Sequence, residues 1–363
     1  MKLKQIETYS TPLLCLVRVT SDDGLTGWGQ TAPFYADITA TVLHRQVAPC
    51  ALGRDVDDLN GLVDACFEYN YKFPWSYISR AVGGVETALW DLRGQREGKP
   101  VCALLGGVPK DIPVYGSSMR RDISPQDEAD RLLRLRDEKG MRAFKVRLGK
   151  VCGHNQDEWP GRTEELISTI RQSLGDNIKL LADGNSCYTP IKAIQIGRLL
   201  QEYGYCHFEE PCPYWELEWT KQVSKALAMD TAGGEQDVDL AQWRRMVHMH
   251  AVDIVQPDVC YVGGITRALR VAKMAQEVGL PCVPHSANLS MVTVFTLHFL
   301  AAIPNAGPYL EYSIEPTPWT DDLYFPALDV VDGKVAVPDG PGWGVEINPE
   351  WLRQAQYLIS RRE

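Results

Sequence analysis

From Ile112 to Ser313 the chain repeats one pattern: a short apolar run, a charged or polar residue at its end, then a stretch with helical periodicity. The runs are IPVYGSS, RAFKVRL, IKLLADG, YCHFEEP, DTAGGE, VDIVQPD, PCVPH and PYLEYS. Amphipathic segments separate most of them. SPQDEADRLLRLRDEKG opens on Ser124 as N-cap with Pro125 at the first helical position, carries acids in its first turn and stops at Gly140. Thr189-Pro190 opens another, with Ala193, Ile196, Leu200 and Tyr203 on its inner face. Eight strands with helical crossovers over about 200 residues predict a closed (β/α) barrel. The alternative, an open doubly wound sheet, carries a Gly-rich phosphate loop after its first strand, and YGSSMRR is not one.

The residues before this repeat have a different texture. CLVRVTSDDGLTGWGQ holds two alternating runs around Asp23-Gly24, a hairpin signal. In AVGGVETALWDLRGQREGKPVCALLGG, Val85, Ala88, Leu89 and Leu92 recur at helical spacing until Gly98 and Pro100 stop the helix. The expected organisation is an α+β unit over 1–112, a barrel over 113–320, and a segment over 321–363 that packs back on the first unit.

Composition narrows the partners. Asp plus Glu exceed Lys plus Arg by 47 to 37, a net charge of −10, which disfavours nucleic acid and anionic membranes. No apolar run approaches the roughly 20 residues of a membrane span, and MKLKQIETYS lacks the apolar core of a signal peptide. The ten cysteines are scattered with no CxxC pair, which reads as reduced thiols in a cytoplasmic protein.

The strand ends carry the chemistry. Lys145 and Arg147 end the second run, and the later ones end at Asp183, Glu209, Glu235, Asp258, His285 and Glu311, in steps of 26, 26, 23, 27 and 26 residues. One β/α unit takes about that many, so these side chains decorate the C-terminal mouth, where barrel enzymes place their sites. A single acid there can simply cap a helix or pair with a lysine. Three on successive strands, Asp183, Glu209 and Glu235, cannot all stay ionised without a cation, and a hard divalent ion, Mg²⁺ by default, satisfies them. Side chains alternate along a strand, so Glu209 is expected to face this ion and Glu210 to face the helices or a neighbour.

At these residues the sequence resembles the enolase superfamily, and within it the mandelate racemase subgroup of acid-sugar dehydratases and racemases. GLTGWGQ, ETALWDLRGQREGKPVCALLGG, FKVRLG, LLADGN, FEEP, GGE, QPDVCYVGGIT, PHSAN and LEYS carry the resemblance over essentially the whole chain. It implies an α+β capping domain over a (β/α)7β TIM-like barrel and Mg²⁺ on Asp183, Glu209 and Glu235. It implies a small carboxylate substrate and a metal-stabilised enediolate formed when a base removes the α-proton. It also implies that Asp258 holds His285 in one tautomer, that a protonated Glu311 donates to the substrate carboxylate, and that the chain forms a homo-oligomer.

The second-strand motif departs from the usual Lys-x-Lys: here it is Lys145-Val146-Arg147. Arginine is a reluctant base. Either Lys145 takes that role, its pKa lowered by Arg147, or His285 removes the proton while Lys145 and Arg147 bind carboxylate. A racemase needs two matched bases across the α-carbon, whereas a dehydratase needs one base and one acid. The motif therefore favours loss of water from an aldonate or aldarate to a 2-keto-3-deoxy acid, with a racemase, epimerase or cycloisomerase as the alternative. The connection within ETYSTPLLCLVRV is short, which leaves the pocket more open or leaves another segment to close it; Tyr71, Trp75 and Trp159 are candidate lid aromatics. Arg120 and Arg121 are candidates for a distal carboxylate, and Asn185 lies in reach of metal or substrate.

Overall fold

The computed structural model describes residues 1–362. Strands β1 (Leu3–Ser10), β2 (Cys15–Ser21) and β3 (Thr26–Gln30) form an antiparallel meander. The β2–β3 turn uses Gly24 at φ 93°, a left-handed conformation that glycine adopts without strain. Helix Ser76–Glu97 lies across this sheet and buries Val85, Ala88, Leu89 and Leu92, the residues whose periodicity marks it. The approach is close: a Cβ on Gly29 would sit 2.4 Å from the backbone nitrogen of Ala88.

The second unit is a parallel barrel. Its strands are β4 (Asp111–Ser117), β5 (Ala143–Arg147), β6 (Lys179–Asp183), β7 (His207–Glu209), β8 (Asp230–Gly233), β9 (Ile254–Val255) and β10 (Leu310–Ser313). They pair in sequence order, and β10 returns to β4 with Glu311 opposite Tyr115. The position between β9 and β10 is reduced to Cys282, which bridges Val255 on one side and Ala306 on the other. Two of the expected strands are thus shorter than their apolar runs. Pro257 and Pro284 explain this, because each removes the N–H that the next rung of the ladder requires. Side chains alternate as the pattern demands. Leu180 and Ala182 pack outward in the main core, while Leu181 joins Tyr115, Ala143, Ala232, Ile254 and Val283 inside the barrel. Asp183 shares the face of Leu181, and Lys145 and Arg147 share that of Ala143.

The last part of the chain touches both units. Strand β11 (Lys334–Ala336) pairs antiparallel with β4, and β12 (Gln356–Arg361) pairs antiparallel with β1. No helix among the described residues is long and apolar enough to cross a membrane.

Buried polar groups lock the cap to the barrel. Gln30, at the end of β3, donates to Ser290 Oγ at 2.8 Å and accepts from the Met291 backbone at 3.0 Å. The fully buried Glu86 accepts from the backbone of Ile265 and Thr266, at the start of helix Ile265–Glu277, and from Trp90 Nε1. An acid at a helix N-terminus meets free N–H groups and the positive end of the helix dipole. Glu86→Ala strands several buried donors at once, and its expected cost is about 3 kcal/mol. A lowered urea midpoint with an unchanged denaturant slope would show it.

Candidate active site

The C-terminal mouth of the barrel gathers the strand-end side chains. Arg147 is in register with Asp183, and Asp183 with Glu209, so these three lie on one rung. Glu235 does not end a strand: it stands past β8, after Gly234 at φ 112°. Asp258 likewise follows β9 and caps a short helix, accepting from Cys260 and Tyr261 backbone at 2.7 and 2.9 Å. The helix-capping role and the pairing with histidine therefore coexist, because its second oxygen lies 2.8 Å from His285 Nδ1.

Lys145 is enclosed. Its Nζ lies 2.6 Å from Glu209, 2.8 Å from Glu311 and 3.7 Å from Asp183, and all four side chains are wholly buried. Burial alone would lower its pKa, but Glu209 and Glu311 outweigh burial and raise it. The expectation of a Lys145 base with a lowered pKa is therefore corrected: Glu209 and Glu311 hold this ammonium charged. Glu311 needs a second correction. Burial would raise its pKa, yet Lys145 and His285 hold it down at about 2. One oxygen accepts from Lys145 and from Ser117 Oγ at 2.7 Å, and the other from the Ser286 backbone at 2.8 Å. A carboxylate with this many donors is an acceptor and not a protonated donor.

Glu209 accepts from Lys145 on one oxygen and from Gln256 Nε2 at 2.7 Å on the other, with His207 Nε2 at 3.3 Å. Gln256 and His207 carried no signal in the sequence. Glu210 also departs from expectation. It lies beyond the last residue of β7 with φ 37°, so strand alternation no longer governs it. Its carboxyl is buried, Oε1 has no partner, and burial followed by the charges of Glu235 and Glu209 pushes its pKa well up. Glu235, also raised mainly by burial, has His285 Nε2 as its neighbour at 3.4 Å.

No three His, Cys, Asp or Glu side chains among the described residues close on a common point as a finished metal cluster. Lys145 and Arg147 reach between the acids instead. The donor chemistry nonetheless fits a hard divalent ion. Asp183, Glu209 and Glu235 offer only buried oxygens, and the raised carboxyls of Glu235 and Glu210, one with an orphaned oxygen, mark a place short of positive charge.

A cavity of about 420 Å³ opens above this layer. Arg147, Asn185, Glu235 and His285 line its floor, and Phe34 and Trp319, 6.0 Å apart, stand at its walls with Met119, Arg121 and Glu315. The closing aromatics are thus Phe34 and Trp319. Tyr71 and Trp159 do not line it, and Trp75 lines a neighbouring cavity with Arg80, Tyr214 and Asp237. Arg120 is exposed and bound to Asp122 at 3.0 Å, whereas Arg121 turns inward and donates to Asn185 Oδ1 at 2.5 Å. Trp75 and Arg120 are therefore removed from the set of substrate contacts. Burial, and then the charges of Arg147 and Arg162, press the Arg121 guanidinium down to about 10. Asn185 is at φ 38°, which lets its backbone and side-chain amides both donate to Asp183 while Oδ1 faces the two arginines.

Residues 127–351 match the Enolase C-terminal domain-like family, and residues 4–106 match the Mandelate racemase / muconate lactonizing enzyme N-terminal domain. The arabinonate dehydratase of Saccharolobus solfataricus is 28% identical, covering 91% of this chain and 87% of its own. The D-galactarolactone cycloisomerase of Agrobacterium fabrum is also 28% identical, covering 93% and 90%. Among solved structures, a Roseobacter denitrificans protein provisionally named a racemase is 58% identical, with TM-score 0.99 over 100% of both chains. A mandelate racemase/muconate lactonizing protein of Paracoccus denitrificans, complexed with magnesium, is 26% identical with TM-score 0.89 over 98% of both. The chain belongs to the mandelate racemase/muconate lactonizing enzyme family of the enolase superfamily.

Proposed function

We propose that the chain is a Mg²⁺-dependent dehydratase of a sugar acid, an aldonate or aldarate, in which His285 is the one group that moves protons. One observation carries this reading. Of the titratable side chains that line the cavity, with Glu235 assigned to the ion, His285 is the one left free to exchange a proton with a substrate carbon. Glu315 is engaged by Arg131 at 2.8 Å and by the Met119 backbone at 2.8 Å. Burial, with Asp258 beside it, raises the Tyr261 phenol. Arginine is a reluctant base, which sets Arg121 and Arg147 aside, and Lys145 is sealed below.

Asp183, Glu209 and Glu235 would hold the ion, which supplies positive charge against that developing on the substrate carboxylate as the α-proton leaves. His285 takes that proton on Nε2. Asp258 fixes the tautomer through Nδ1 and stabilises the imidazolium that results. The same imidazolium then gives its proton to the hydroxyl departing from the β-carbon. One C–H and one C–O bond break, water forms, and the enol relaxes to a 2-keto-3-deoxy acid. Burial disfavours the imidazolium, but Glu235 and the hydrogen bond to Asp258 outweigh it and lift His285 to about 10. An ion held on Glu235 would offset the larger of those two influences and so favour the neutral imidazole that takes the proton.

A racemase needs a second base on the opposite face, and the strand that would carry it presents Arg147. Lactone-forming or ring-opening isomerisation needs only one proton carrier, so the cycloisomerases among the relatives define the competing reading. Incubation with Mg²⁺ and separate panels of aldonates, aldarates and their lactones and anhydro acids, followed by semicarbazide detection of 2-keto acids, decides between them. The expected result is a keto acid that EDTA suppresses. Keto acid formed from a lactone or anhydro acid, with none from the open-chain acids, would favour the cycloisomerase, because opening the ring by the same elimination leaves the same enol without loss of water.

A further inference from the structure

We propose that Arg121 and Arg147 together form a receptor for a second carboxylate, so that the substrate is a dicarboxylic sugar acid, an aldarate, and not an aldonate. This rests on the dehydratase reading and narrows it. The two guanidiniums come from different elements, the coil after β4 and the end of β5, yet both donate to one neutral acceptor, Asn185 Oδ1, at 2.5 and 3.1 Å. Each is anchored at Nε by a backbone carbonyl, Arg121 by Gly149 at 2.8 Å and Arg147 by Ser118 at 2.9 Å. The anchors fix the planes and leave the outer nitrogens toward the cavity that both residues line.

Those outer nitrogens are poorly used. The second Nη of Arg147 rests on the thioether of Met119, a weak acceptor. Among the described residues the second Nη of Arg121 has no hydrogen-bond partner, and no carboxylate lies within ion-pair distance of Arg121. Arg147 has one carboxylate, Asp183, which the proposed ion would share. Two like charges brought together around a single amide oxygen repel each other unless an anion joins them. A carboxylate suits the planar forks, each of which can present two parallel N–H groups. Lys145 cannot be the receptor for this group, because three carboxylates already surround it. Arg120, adjacent in sequence, is spent on Asp122 at the surface.

The test compares galactarate with galactonate, and glucarate with gluconate, by titration calorimetry on the Mg²⁺-loaded protein, with 6-phosphogluconate as a third arm. Arg121→Met and Arg121→Lys are run beside the wild type, and circular dichroism and Mg²⁺ affinity confirm that each variant is folded. The proposal expects at least one aldarate to bind tighter than its aldonate partner by about tenfold or more. It expects that ratio to collapse toward one in Arg121→Met and to survive in part in Arg121→Lys. Equal binding of both acids by the wild type, or equal weakening of both in Arg121→Met, overturns it. Tighter, Arg121-dependent binding of 6-phosphogluconate would make the second anion a phosphate and also overturn it. The dehydratase reading fails separately, by the absence of keto acid from every acid in the panel.

Discussion

Lys145→Met is expected to be the most destabilising single change in the metal-free protein, by about 3–5 kcal/mol. Methionine matches the length of the lysine stem, so the loss is of charge and not of volume. What remains is Glu209 and Glu311, both fully buried, without the ammonium that lies 2.6 and 2.8 Å away in the wild type. The sign with pH follows from Glu311. Its pKa is held at about 2 against an ordinary 4.5, so its stabilising contribution is full above pH 4.5 and is lost as pH falls toward 2. In Lys145→Met the larger of the two lowering influences is gone and His285 remains, so acid should remove less stability through this group than in the wild type. Urea denaturation at several pH values between 2 and 7 measures both effects. Added Mg²⁺ should restore more stability to the variant than to the wild type, because an ion on Asp183 and Glu209 returns part of the missing charge.

The second large effect is on turnover. His285→Asn should lower kcat by about a thousandfold or more, at the upper part of the range for loss of a general acid–base group. Mg²⁺ affinity should hold, since the imidazole is not one of the proposed ligands. A single proton carrier makes a stronger demand than loss of rate: exchange of the α-proton with heavy water must vanish together with loss of water. If exchange survives in His285→Asn, a second base operates and the single-carrier account fails. Asp258→Asn should give a milder form of the same defect, because it alters the partner of Nδ1 and leaves Nε2 in place.

Much of this architecture is readable from residue order. The spacing of strand ends marks the barrel units, and the two-residue period places Lys145 and Arg147 on one face and Asp183 beside Leu181. Local rules reach as far as regular elements do. Glu210 escapes strand alternation because it lies one residue beyond β7, at a positive φ. The arginine that enters the cavity is Arg121 and not Arg120, a distinction that falls in coil after β4 with no period to decide it. Phe34 and Trp319 meet from opposite ends of the chain, so no local pattern joins them. The charge states of Lys145 and Glu311 were the hardest to foresee. Each depends on how many opposite charges surround it, and that count exists only once four strands have closed around the site.

The most direct test of single-base dehydration is proton NMR of the wild-type protein with Mg²⁺ and an aldarate panel in heavy water. The account predicts a 2-keto-3-deoxy acid with one deuterium at the new methylene, and remaining substrate of unchanged configuration. Recovery of substrate that carries deuterium at the α-carbon with inverted configuration, without keto acid, would contradict it and show two bases where the structure offers one.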